Sequence, residues 1–309
     1  MIYLRHATLA LLFALCLCAA CRRGATVEGP VDLRTFKDGI GRQVVVKHHP
    51  QRIISLAPSV TETLFALGLA DRIVGVTTYC DYPEGAKAKE KIGDTLRPDL
   101  ERILALKPDL VVITTASQLE TMMHKLDQLA IPVYVTNPRT VHETVVAIRD
   151  LGEVTGAIKE GAEIADAMAE RVNQIENLLK SGPRPRVFYV LQNDPLITAG
   201  RNTFINDLIN LAGGQSISGE ETADYPQFSR ETVVARAPEV IVAPSSHGTQ
   251  LVSEADLRRD FATTPAVQLN RIVYVEPDFV DRPGPRLTMG LEQLAKGLHP
   301  EGPKPGSSP

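Results

Sequence analysis

Residues 100–113 read Leu100-Glu101-Arg102-Ile103-Leu104-Ala105-Leu106-Lys107-Pro108-Asp109-Leu110-Val111-Val112-Ile113. Residues 230–243 repeat the plan as Arg230-Glu231-Thr232-Val233-Val234-Ala235-Arg236-Ala237-Pro238-Glu239-Val240-Ile241-Val242-Ala243. Each stretch predicts a short amphipathic helix, a Pro-acid turn and an all-apolar strand. Glu101 and Glu231 occupy the same slot. A repeated supersecondary unit implies two equivalent lobes. Matched carboxylates on matched lobes point to a partner that is itself symmetric.

Around each copy, strands and helices alternate. The first half carries strand-like runs at Arg52–Leu56, Ile73–Val76, Leu110–Ile113 and Val133–Val135. The same pattern restarts with Arg186–Leu191, a helix over Thr203–Leu211, Val240–Val242 and Arg271–Val275. Short apolar strands separated by helices predict parallel sheets covered on both faces. Ser59-Val60-Thr61-Glu62 has the spacing of a capping box, opening a helix that Gly68 stops. Between the halves, Ile164, Met168, Val172, Ile175 and Leu179 recur at intervals of three and four. That run predicts one stiff helix of roughly 20–25 residues, about 30–38 Å long, with no flexible linker and little hinge motion. The expected fold is α/β: two Rossmann-like lobes with mainly parallel sheets, joined by a single backbone helix, with a ligand cleft between them. The expected boundaries are a leader over 1–21, a tether and Asp38-Gly39 hairpin over 22–51, and a first lobe over 52–156. A backbone helix over 157–182, a second lobe over 183–299 and a disordered tail over 300–309 follow.

The 309 residues suffice for two ordinary domains. With 33 Lys and Arg against 37 Asp and Glu, the chain has no basic excess, which argues against a nucleic-acid partner. Residues 7–20 form an apolar run after Arg5 and His6, too short for a confident membrane span. The run ends Cys18-Ala19-Ala20-Cys21. Small residues before a cysteine resemble a lipoprotein signal, with Cys21 lipidated, although Cys18 stands where leucine is usual. The expected location is the periplasm or cell surface, anchored to a lipid membrane. Of four cysteines only Cys80 lies outside the leader, so the folded body has no disulfide.

No nucleophile elbow, phosphate-binding loop, zinc-helix motif or dinucleotide fingerprint is present. No enzyme, catalytic residue or metal site is predicted. His48 and His49 are compatible with a metal or with solvent. The loops beyond the strand ends are richer. They are Thr77–Pro83, Pro244–Gly248 and Asp278–Arg286, and they mix aromatic faces with hydrogen-bonding groups, as a small-molecule cleft requires.

With these residues in view, the chain resembles the bacterial periplasmic substrate-binding proteins of the cobalamin and iron-complex type, over roughly residues 45–298. The most specific runs are Arg52–Glu62, Tyr79–Pro83, the repeat at Leu100–Leu110, and Tyr225–Glu231. The likeness is strongest to members that carry cobalamin to an ABC importer. It implies that Tyr79 packs on a corrin and that Asp278, Phe279, Val280, Asp281 and Arg282 form a loop closing over the cargo. Tyr225 stands where the cobalamin carriers have a pocket tryptophan. The resemblance further implies that Glu101 and Glu231 dock onto arginines of a permease dimer, and that the protein acts as a monomer. Two departures stand out. The chain has no Trp, and Ala212 and Ala295 lie near a disulfide pair found in the cobalamin carriers. Haem or a ferric siderophore is therefore the alternative cargo. His247 would then be either an axial ligand or a solvated loop residue. Arg282 and Arg286 would pair either with an anionic cargo or with Asp281 and Asp278.

Overall fold

The computed structural model describes residues 32–115, 120–246 and 249–302. The leader with Cys21, His247 and the end of the tail lie outside the described residues.

Strands β1 (Leu33–Lys37) and β2 (Gln43–Lys47) form the expected hairpin. Its second strand alternates exposed and buried residues, and Val44 and Val46 join the core of the first lobe. The hairpin is therefore packed against the lobe. At its tip, the Gly39 amide donates to Val135 O at 2.7 Å. A Cβ there would stand 2.6 Å from the Asn137 nitrogen, so only glycine fits.

The first lobe is built on β3 (Ile53–Ser55), β4 (Ile73–Val76), β5 (Leu110–Thr114) and β6 (Val133–Thr136). They form a parallel sheet in the order β4-β3-β5-β6. In the second lobe β7 (Arg186–Tyr189) is followed by the small hairpin β8 (Gln192–Asn193) and β9 (Leu196–Ile197). Then come β10 (Gln215–Ser216), β11 (Val240–Ser246), β12 (Thr249–Gln250) and β13 (Ile272–Val275). Strand β11 pairs in parallel with β7 and β13, β10 lies beyond β7, and β12 folds back on the end of β11.

The repeat that opened the sequence reading is a repeat in space. Strand β5 lies between the first and last strands of its sheet pairings, β3 and β6, and β11 lies likewise between β7 and β13. The preceding helices, Leu100–Ala105 and Arg230–Ala235, are each six residues long. Asp99 and Ser229 cap them by accepting the Arg102 and Thr232 amides. Just past the cap of each helix stands a left-handed residue, Lys107 or Ala237, with φ 46° in both. The duplication extends to Arg52 and Arg186. Asp109 accepts the Arg52 amide at 2.8 Å and Glu239 the Arg186 amide at 2.9 Å. The Arg52 guanidinium then donates to Leu106 O and the Arg186 guanidinium to Ala237 O, covering the open carbonyl end of each helix. The acid of each Pro-acid turn thus fixes the register of the neighbouring strand.

The backbone helix spans Ile158–Leu179, 22 residues, or about 33 Å at the standard rise. Helix Val141–Thr155 packs along it and serves both lobes. Val141, Val145 and Ile148 join the second lobe's core with Tyr189 and Leu208, whereas Leu151 and Val154 join the first lobe's core with Leu64 and Ile73. Gly156, at φ 77°, ends this helix. A Cβ on Gly152 would stand 2.9 Å from Gly161 Cα. This glycine pair lets the two helices approach backbone to backbone.

The expected capping box at Ser59–Glu62 does not form. The helix after β3 spans Pro58–Ala66, is preceded by Ala57 and has no side-chain cap. Proline at its start needs no amide partner. Glu62 therefore caps nothing, and its carboxylate is used elsewhere.

Candidate functional site

The carboxyl ends of the strands carry the loops that face one another, as open α/β sheets dictate. From the first lobe come the start of helix Pro58–Ala66, the turn Thr77–Pro83 after β4, and Arg139 after β6. From the second come the short helix Pro277–Val280 after β13 and its continuation through Arg286, together with Asp224 and Tyr225.

At the centre lies Glu62, only 4% exposed. It accepts two hydrogen bonds from Arg286, at 2.8 and 2.7 Å, and one from Arg282 at 3.0 Å. Arg282 also reaches Asp81 at 3.1 Å and Asp278 at 2.7 Å. Arg286 stacks over the Tyr82 ring at 3.8 Å from its centroid and lies 5.1 Å from that of Phe279. Burial works to lower both guanidiniums, but the Glu62 hydrogen bonds and the surrounding carboxylate charges together hold them above their ordinary range. A second cross-lobe clasp joins Arg139 to Asp224 and to Asn202 O. In the first clasp the second lobe supplies the cations; in the other it supplies the anion. Asp281 does not pair with the arginines by hydrogen bond. It accepts the Tyr189 hydroxyl at 2.7 Å. Burial, with help from the Asp278 charge, pushes its carboxyl from 3.8 up to about 7, against the Tyr189 hydrogen bond and Arg282.

The residues expected from sequence fall into three groups. Asp278, Phe279, Asp281 and Arg282 stand in this cluster. Tyr225 follows Asp224 of the second clasp, and its hydroxyl is raised first by burial and then by the Asp224 and Asp281 charges. Tyr79 shares the loop of Asp81 and Tyr82 and is 61% exposed, with Tyr225 at 49% and Tyr82 at 45%. Val280 is placed differently. It is fully buried in the second lobe's core with Leu287 and Leu291 and presents no side chain to the cleft. Cys80, beside Tyr79, is also fully buried, with its sulfur 3.1 Å from the Thr77 hydroxyl. Arg282 and Arg286 pair with Glu62, Asp278 and Asp81. Glu62, Asp81 and Tyr82 belong to the cluster without having been singled out for it. The glutamate was hidden because its spacing imitates a cap.

Glu101 and Glu231 make none of the hydrogen bonds or ion pairs described for this cluster. Both are exposed in the first turns of the repeated helices. The Glu231 carboxyl is held below its ordinary range, first by its own backbone N–H and then by the Ser229 hydroxyl. Among the described residues no group of His, Cys, Asp and Glu is arranged to hold a metal ion, and no helix is long and apolar enough to cross a membrane.

Residues 53–279 match the periplasmic binding protein family. An uncharacterized ABC transporter substrate-binding lipoprotein of Bacillus subtilis, YvrC, is 32% identical over 274 residues, covering 86% of each chain. The crystal structure of the periplasmic vitamin B12-binding protein BtuF of Vibrio cholerae superposes with a TM-score of 0.73 at 31% identity, covering 81% of this chain and 96% of that one. The apo form of the periplasmic heme-binding protein RhuT from Roseiflexus superposes at 0.72 with 26% identity, covering 81% and 98%.

Proposed function

Because the chain belongs to the periplasmic binding protein family and is the substrate-binding component of an ABC transporter, we propose that its cargo is cobalamin or a related corrinoid. It is a transport component that works outside the cytoplasm, not an enzyme. The observation that carries the cargo reading is the pairing of both cleft arginines. Arg282 and Arg286 are already satisfied by carboxylates, while Tyr79, Tyr82 and Tyr225 present exposed rings around them. Among the described residues of this cluster, flat aromatic faces and polar clamps stand beside arginines that are already paired. Such a site suits a large, semi-apolar disc with amide arms better than a dicarboxylate. The alternative cargo, haem or a ferric siderophore, is supported by the likeness to the heme-binding RhuT.

In this reading Tyr79 and Tyr225 stack on the disc, taking the place of a tryptophan. Asp278, Phe279, Asp281 and Arg282 close over it from the second lobe. Glu101 and Glu231 meet arginines of a two-fold permease, where an exposed carboxylate gives register and on-rate without lasting burial. Cys21 holds the protein to a lipid membrane as a lipoprotein. Alanine at Tyr79 or Tyr225 tests the stacking role. Each should weaken cyanocobalamin binding about tenfold or more, the scale of a lost ring face; unchanged affinity in both would remove the rings from the site.

A further inference from the structure

The cluster has a charge composition that its fold does not require. Two guanidiniums, Arg282 and Arg286, meet three carboxylates, Glu62, Asp81 and Asp278. Their depths differ. The Glu62 side chain is 2% exposed and the Arg286 side chain 14%, whereas the Asp81 side chain is 55% exposed. Glu62 also reaches across the lobes, from the first helix to a loop 220 residues later in the chain. Without Glu62, Arg286 would keep only a 3.4 Å contact to Asp278 and the faces of Tyr82 and Phe279. The partly buried Arg286 fork would then be short of partners and able to take a carboxylate or phosphate, while Arg282 kept Asp81 and Asp278.

We propose that Glu62 is a specificity-determining residue: by occupying Arg282 and Arg286 it makes the site select cargo with uncharged arms and reject carboxylate-bearing tetrapyrroles of the same size. Rejection here is active. An anionic arm at the cluster meets a surplus of carboxylates and must displace a buried one to reach a cation. That is specificity by opposition as well as by fit. The inference rests on the reading that this loop faces the cargo, but concerns charge and not the identity of the ring.

The test uses pairs of nearly the same size that differ chiefly in charge: cyanocobalamin against its monocarboxylate, formed by hydrolysis of one amide arm, and haemin dimethyl ester against haemin. Affinities are measured for the wild-type protein, Glu62→Gln and Asp81→Asn. The readout is the preference of each protein for the neutral member of a pair. Glu62→Gln should shift that preference toward the anion by about tenfold or more, the order expected for one unit charge at close range in a half-buried site. Asp81→Asn, which alters an exposed carboxylate and keeps the buried one, should shift it in the same direction by less. If Glu62→Gln does not fold, the sign of the Asp81→Asn shift decides. A preference unchanged in both variants, or moved toward the neutral member, overturns the proposal. If the wild-type protein binds the porphyrin pair and no corrinoid, the cargo reading fails while the charge test still runs on that pair. Binding of no probe by any variant overturns both.

Discussion

Glu62 links the two sides of the cleft through a buried side chain. Its carboxyl group is almost removed from water, and it holds two cations of the opposite lobe. Deleting one partner of a buried pair leaves uncompensated charge behind. Glu62→Ala should therefore destabilise the protein by about 3–5 kcal/mol, measured by urea denaturation. A loss under about 1 kcal/mol would mean that the pair behaves as a surface bridge. Asp281 gives a second prediction, in pH. Its carboxyl is raised in the folded state to about 7 from 3.8, so the native protein binds the proton more tightly than the unfolded chain does. Its contribution to stability is then largest below pH 4, falls as pH rises through the interval to about 7, and is flat above. Asp281→Asn should remove that downward slope from the melting temperature between pH 4 and pH 7. An unchanged slope would place the titrating group elsewhere.

At the scale of elements, the repeated units and the helix pair make separate predictions. Ala237 sits at φ 46° with a side chain that disfavours it. Ala237→Gly should stabilise the second lobe by roughly 0.5–1 kcal/mol; destabilisation would show that the left-handed residue is not strained. Gly152→Val would push a side chain into Gly161 and the Ala157 carbonyl. It should cost about 1–3 kcal/mol by overpacking where the two helices meet. The strands were legible in the sequence because strands buried on both faces read as continuous apolar runs, as in Leu110–Ile113 and Val240–Val242. The long helix was legible because its apolar residues recur at intervals of three and four. The dual service of helix Val141–Thr155 was not legible, since one apolar stripe says nothing of which core each half enters. Nor was Glu62. Local spacing offered it a plausible cap, and its real partners lie 220 and 224 residues away. Loop aromatics such as Tyr79 and Tyr225 could be named from sequence, whereas the pairing of the arginines required the two lobes to be brought together.

For the whole molecule, the cleft cluster and the matched glutamates belong to different elements. The cleft loops differ between the lobes, while the repeated helices keep Glu101 and Glu231 in matched first turns, with helices Val141–Thr155 and Ile158–Leu179 between the two sheets. Combining Glu101→Ala with Glu231→Ala should abolish uptake through the permease and leave cargo affinity intact. A parallel fall in affinity would assign those residues to the pocket. The cargo claim itself is tested most directly by calorimetric titration of the purified protein with cyanocobalamin, haem and a ferric siderophore in turn. The predicted result is cobalamin binding at or tighter than micromolar, with both iron complexes clearly weaker. Tight binding of either iron complex, with cobalamin weaker than micromolar, would contradict it.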